Sequence, residues 1–189
     1  MIIHLNGLPG VGKLTIARLI VARLGGHLLD NHTIYNVAFS LTEFRTPEFY
    51  SVVRSVRDVA FAQVAKIPAD VSVVMTNALG AGPWGQENLD AIIDLARRRN
   101  CAFFAVTLTC SAGALAHRMT TPERSYLRKL TDPTALRFAA GDLLEPGSER
   151  LLRLDKTSLS PDESADRIIR RLQDGRSQVS MSNPSPDLG

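Results

Sequence analysis

Gly7-Leu8-Pro9-Gly10-Val11-Gly12-Lys13-Leu14-Thr15 follows the apolar run Met1-Ile2-Ile3-His4-Leu5 and precedes an amphipathic run from Leu14 to Leu24. Strand, glycine-rich turn, lysine and helix, in that order, make a phosphate-binding loop. A polyphosphate must be approached closely by several backbone N–H groups, and side chains would block that approach. The helix that starts at the loop adds unpaired N–H donors and the positive end of its dipole. Lys13 adds a mobile cation for the outer phosphates. The stretch departs from G-x-x-x-x-G-K-[ST] at one place: Leu14 stands where a hydroxyl usually reaches Mg²⁺, and Thr15 comes one residue later.

Outward from the loop, the chain alternates strand and helix. Residues 2–6 read as a buried strand and 13–24 as the first helix, closed by Gly25-Gly26. His27 to Asp30 reads as a second strand. Asn31-His32-Thr33 then reads as a turn, with Asn31 or Thr33 capping a short helix to about Leu41. Thr46-Pro47-Glu48 starts a helix to about Lys66. Val71 to Met75 is the third strand, ending in Thr76-Asn77. Ala78 to Gln86, with Gly80, Gly82, Pro83 and Gly85, reads as a flexible loop that carries the sole tryptophan, Trp84, as a candidate lid. A helix from Glu87 to Arg99, a strand from Ala102 to Thr109 and a helix from Ser111 to about Met119 follow. Leu151 to Leu154 is the fifth strand, and 161–172 the last helix. The Ser-, Asn- and Pro-rich residues 174–189 read as a disordered tail. One domain, 1–173, results: a three-layer α/β/α fold with a parallel sheet, in which ligands bind at the carboxyl ends of the strands.

Bulk composition narrows the function classes. The 189 residues suit one domain, and a net charge of +3 gives no support to a general nucleic-acid partner. No stretch approaches the ~18 uninterrupted apolar residues of a membrane span. Cys101 and Cys110 show no metal-ligand spacing, and both read as buried thiols of a cytoplasmic protein. Arg118, Arg124, Arg128 and Lys129 lie within twelve residues. In a chain with a phosphate loop, a lid over the nucleotide, about residues 118–132, is the natural place for them.

With these elements in place the chain resembles the small P-loop kinases, the group of nucleoside-monophosphate, shikimate and gluconate kinases. The likeness covers about residues 1–173. It rests on Gly7 to Thr15, on Leu29-Asp30, on the Arg118/Arg124/Arg128 segment, and on Leu154-Asp155-Lys156-Thr157. It implies the P-loop NTPase fold with a five-stranded sheet of order 2-3-1-4-5. It also implies ATP and Mg²⁺, with a small-molecule phosphoryl acceptor as partner, in a monomer or homodimer. Gly7, Pro9, Gly10, Val11, Gly12, Leu14 and Thr15 would form the nucleotide cradle, and Lys13 would meet the β- and γ-phosphates. Arg118 would lie near adenine, Arg128 on the nucleotide, and Arg124 would reach the transferring group. Thr157 would line the adenine pocket. Asp30 or His32 would be the acceptor's base, and Asp30 would touch the metal through water. Arg45, Arg54 and Arg57 are available for an anionic acceptor. The third strand lacks the Walker B aspartate of motors and GTPases, and the guanine-reading Asn-Lys-x-Asp is absent. The leading expectation is ATP-dependent transfer of the γ-phosphoryl group to a hydroxyl. The alternatives are a nucleotide or nucleic-acid-end kinase, or a degenerate ATP-binding regulator, which Leu14 keeps open.

Overall fold

The computed structural model describes residues 1–120, 140–147 and 151–181, with side chains described as far as Asp174. Its strands are β1 (Ile2–Gly7), β2 (His27–Asp30), β3 (Val73–Asn77), β4 (Phe103–Thr109) and β5 (Leu151–Asp155). They form one sheet in the order β2-β3-β1-β4-β5, with every neighbouring pair parallel. This is the order expected from the resemblance. The apolar runs of β1, β3 and β4 suit central strands that are covered on both faces.

The helices are α1 (Lys13–Leu24), α2 (Asn31–Leu41), α3 (Pro47–Val64), α4 (Pro83–Arg98), α5 (Ala112–Met119) and α6 (Pro161–Met181). Alternation along β1 divides the core in two. Ile3 and Leu5 pack with Ile16 and Ile20 of α1, Leu115 and Met119 of α5, and Ile168 and Leu172 of α6. Ile2 packs on the other face with Ile34 of α2, Phe49 and Val53 of α3, and Leu89 and Ile92 of α4. The three layers follow directly.

Local chemistry sets the helix starts. Thr46 Oγ1 accepts from Phe49 N at 3.2 Å to cap α3, and Ser111 Oγ accepts from Ala114 N at 3.3 Å to cap α5. Ser160 and Glu163 form a reciprocal capping box on α6, at 2.8 and 3.1 Å.

Three expectations need correction. α4 begins at Pro83, so Trp84 stands in the first turn of a helix and not on a flexible loop. Proline at the first helical position has its ring angle preset and loses no needed N–H. α2 begins directly at Asn31, with Asp30 in the N-cap position, so no turn separates β2 from α2. α6 runs to Met181 and takes in residues 174–181, which were expected to belong to the tail. No proline interrupts that helix before Pro184.

Candidate functional site

The loop is shaped to receive an anion. A turn closes through Val11 N to Leu8 O at 3.2 Å, and Gly12 then enters α1 with φ +97°. Only glycine takes that left-handed conformation without strain. Gly12 is the N-cap of α1, and no side chain caps the helix. The first N–H groups of α1 therefore lack a side-chain acceptor, which is the condition for anion binding at a helix start. Gly10, with φ +93°, lies so close to α5 that an added Cβ would fall 2.6 Å from Met119 Cγ. Lys13 folds back over the loop: its Nζ donates to Gly7 O at 2.7 Å and Leu8 O at 3.0 Å. Leu14 is half-buried and Thr15 exposed.

Beneath the loop, β1 carries two polar residues on the α2–α4 face. Asn6 is 3% exposed, and its amide is fully used. Nδ2 donates to Leu79 O at 3.0 Å and to Leu144 O at 2.9 Å. Oδ1 accepts from Gly7 N at 3.0 Å and from Leu79 N at 2.8 Å. Asn6 so joins the phosphate loop to the β3–α4 connection and to the segment at residues 140–147. That segment is held further by Ala81 N to Asp142 O and Leu144 N to Leu79 O. The role of Asn6 was missed in the sequence, where it reads as one more strand residue.

His4 is buried beside Asn77, with Nε2 to Oδ1 at 3.1 Å. Burial lowers its pKa from 6.5 to about 4, and the Lys13 charge adds to that effect, against the Asn77 hydrogen bond. The folded protein therefore holds His4 neutral, while the unfolded chain takes up a proton below pH 6.5. Stability from this source is intact above pH 6.5 and is lost as pH falls toward 4, by about 3 kcal/mol in all. His4→Gln keeps an amide donor for Asn77 and removes the titration. Urea melts from pH 7 to 4 are expected to show the wild type losing that extra stability while His4→Gln does not.

At the end of β2, Asp30 occupies the N-cap position of α2, yet its carboxylate does not cap the helix. Asp30 Oδ1 instead accepts a short hydrogen bond from the hydroxyl of Thr76, its register partner on β3. β3 separates β2 from β1, so Asp30 lies about 10 Å across the sheet from the loop strand. Leu28 of β2 packs in the core under α1, so period-two alternation puts Asp30 on that same face. His32 falls in the first turn of α2, its ring stacked on Phe39 with centroids 6.2 Å apart.

A wall of side chains stands over the β2–β3 end. Trp84 Nε1 donates to Tyr35 OH at 3.1 Å, and its ring lies 4.6 Å from that of Tyr50. Arg54 covers Trp84 at 5.0 Å and makes a forked bond to Glu87 at 2.9 Å. Arg57, almost fully buried, bonds the same Glu87 at 3.1 Å and Asn88 Oδ1 at 3.2 Å, with Asp58 also in reach at 3.4 Å. The Arg54 hydrogen bonds, seconded by those of Arg57, hold the Glu87 carboxyl below its usual range. Two guanidiniums thus face two carboxylates. Arg54 and Arg57 are not spare cations for an anionic acceptor, as the sequence suggested; Arg45 is exposed and stacks on Phe44 at 4.6 Å. Behind the wall a cavity of about 10 Å³ is lined by Asn31, Tyr35, Arg57, Thr76, Asn77 and Asn88 among others. That is room for one water.

On the other flank, Thr157 Oγ1 accepts from Ser111 N at 2.8 Å and donates to Asp155 Oδ1 at 2.6 Å, which joins the β4 and β5 ends. Arg118, half-buried at the end of α5, lies beside Cys110 and Lys156. Arg124 and Arg128 lie outside the described residues, as does most of the expected lid.

No family model matches the chain, and no curated protein matches it. Solved structures do. A gluconokinase from Sinorhizobium meliloti superposes with TM-score 0.65 at 14% identity, over 96% of this chain and 97% of the other. The APS kinase of Mycobacterium tuberculosis, in complex with AMPPNP and APS, gives 0.60 at 20% identity, over 91% and 96%. Shikimate kinase from Aquifex aeolicus gives 0.54 at 15%, over 94% and 99%. The chain has the fold of the P-loop kinases.

Within the P-loop kinase fold the loop suits a nucleoside polyphosphate, because of its uncapped helix start, the left-handed glycine at position 12 and the adjacent Lys13. A protein-built Mg²⁺ site fits less well. Leu14 offers no hydroxyl, and Asp30 Oδ1 is already engaged by Thr76. Among the described residues, no three or more His, Cys, Asp or Glu side chains group to hold a metal. Magnesium that travels with ATP is held chiefly by phosphate oxygens and water. No helix among the described residues is long and apolar enough to cross a membrane.

Proposed function

We propose that the chain is an ATP-dependent phosphotransferase that moves the γ-phosphoryl group to a hydroxyl of a small-molecule acceptor. The observation that carries this reading is the state of Asp30. It sits where a helix cap is expected, yet its carboxylate is turned to Thr76 at the strand ends, on the face of the sheet that carries the phosphate loop. The carboxylate thus stands at the carboxyl ends of the strands, where parallel α/β sheets bind their ligands.

Phosphoryl transfer depends mainly on positioning and on neutralising spread negative charge. The backbone of residues 10–15 holds the phosphates, and Lys13 draws charge from the transferring group. Mg²⁺ would come as part of the substrate MgATP, and Asp30 would be the residue to meet it through water. Thr76 fixes one oxygen of Asp30, and Oδ2 is the atom that orients the acceptor hydroxyl and takes its proton. His32 is the rival base. Arg124 in the lid reaches the transferring phosphoryl, while Arg118, Arg128 and Thr157 serve the nucleotide. The acceptor would lie beside Asp30 and against the wall formed by Tyr35, Tyr50 and Trp84. Since Arg54 and Arg57 are balanced by Glu87 and Asp58, that wall suits an uncharged polyhydroxyl compound better than an anion.

The test is transfer of radiolabel from ATP to a panel of sugars, nucleosides, nucleotides, shikimate-like acids and hydroxylated antibiotics. Labelling of one acceptor class is expected, lowered about 10²–10⁴-fold in Asp30→Asn. Asp30→Asn with full activity would pass the base role to His32. ATP binding with no acceptor labelled would favour the degenerate regulator, the reading to which Leu14 points.

A further inference from the structure

Lys156 lies in the turn between β5 and α6, and the turn is tied down around it. Its own N–H donates to Thr109 O at 2.9 Å, and its carbonyl accepts from Leu159 N at 3.3 Å. Asp155 accepts from the amide of Thr157 at 2.7 Å, and Thr157 reaches Ser111. Asp155 and Thr157 are exposed, whereas Lys156 is 3% exposed and runs inward.

Its ammonium ends at the phosphate loop. A Cβ built on Gly12 would lie 2.9 Å from Lys156 Nζ and 3.9 Å from Cε. The glycine thus makes room for a second lysine as well as for the turn of the backbone. Lys13 Nζ lies at the other end of the same loop, on the carbonyls of Gly7 and Leu8. The two ammoniums bracket the loop.

The arrangement is unfavourable without an anion. Lys156 Nζ stands against the positive end of α1, and the Arg118 charge acts on it as well. Burial, and then Arg118, hold its pKa below that of an ordinary lysine. Among the described residues no carboxylate forms an ion pair with Lys156. A phosphate placed between the ammonium and the helix start turns repulsion into attraction on both sides.

We infer that Lys156 is a second phosphate-binding lysine, which stands at the Gly12 end of the loop and supplies positive charge in a site where Leu14 offers no hydroxyl to hold a metal ion. Polyphosphate binding is then retained without a divalent cation. The inference rests on the reading of residues 7–15 as a nucleoside-polyphosphate site.

Calorimetric titration of the full chain with ATP and with inorganic tripolyphosphate, in EDTA and in Mg²⁺, tests it. The wild type is expected to bind both in EDTA. Lys156→Met and Lys156→Gln are expected to weaken both by about tenfold or more in EDTA, while Lys156→Arg retains most of the affinity. Lys66→Met, at an exposed position far along the chain, controls for net charge and leaves binding unchanged. Removing a cation from a cationic site should not lower the ligand-free melting temperature, and either variant that melts normally suffices. Wild-type binding that stays within about twofold in both Lys156 variants would overturn this inference alone. A wild type that binds neither ligand would overturn it together with the reading on which it rests.

Discussion

Lys13→Ala is expected to lower kcat/KM for ATP-dependent transfer by about 10²–10³-fold, ~3–4 kcal/mol of transition-state stabilisation. Lys13 is 9% exposed, and its ammonium is held on the Gly7 and Leu8 carbonyls at 2.7 and 3.0 Å. It is thus stationed at the loop by the protein's own backbone. A preorganised charge acts more strongly than one gathered at the moment of reaction, because little must be reordered. Lys13→Met keeps most of the apolar stem and should lose nearly as much activity as Lys13→Ala, which separates charge from packing. A second effect follows beneath the loop. The Lys13 charge helps to depress the His4 pKa, so either variant should raise it and narrow the acid-sensitive window described above. Steady-state kinetics over a range of ATP, with pH-dependent melts, check both. Full activity in Lys13→Ala would remove the phosphate loop from the chemistry.

Much of this architecture was legible in the residues, for physical reasons that differ by element. β1, the loop and α1 were plain because apolar period, glycine punctuation and lysine point to the same strand–loop–helix unit, with Leu14 the one departure from the motif. The start of α4 was not. Gly80, Gly82, Pro83 and Gly85 suggest a loop, but Gly82 with φ +130° and Pro83 after it are a helix entry. Trp84 changed with it, from a lid on a loop to part of a fixed aromatic wall. Asp30 was found because it ends a strand, but its Thr76 partner lies 46 residues away and no local pattern announces it. Arg54 and Arg57 looked available for the same reason: Glu87 is remote in sequence and near in space. Lys156 and Gly12 stand far apart in the sequence, so their approach is a property of the assembled sheet alone. A lysine between two turn-forming residues gave no hint that it runs inward.

Asn6→Asp is expected to destabilise the fold by about 4 kcal/mol at pH 7, a large share of the 5–15 kcal/mol typical of a domain. The substitution keeps size and shape. What changes is that Nδ2, which donates to Leu79 O and Leu144 O at 3.0 and 2.9 Å, becomes a carboxylate oxygen facing two carbonyl oxygens. Both carbonyls lose their side-chain donor, and a charge is buried without a partner. The two N–H groups of Gly7 and Leu79 still donate to the other oxygen and offset part of the cost. The pH dependence distinguishes this from a simple packing defect. Burial beside carbonyls raises the folded-state pKa of the new carboxyl above the ~3.9 of the unfolded chain. A raised pKa adds stability as pH falls through it, because the protonated acid regains one donor. The gap between Asn6→Asp and wild type should therefore shrink from pH 8 to pH 5, opposite in sign to the His4 effect. Asn6→Leu restores no donor, so its gap should stay constant over that range. Denaturant melts of the three proteins at both pH values measure it, and an Asn6→Asp gap that does not narrow would mean that Asn6 does not hold the three loops through its amide.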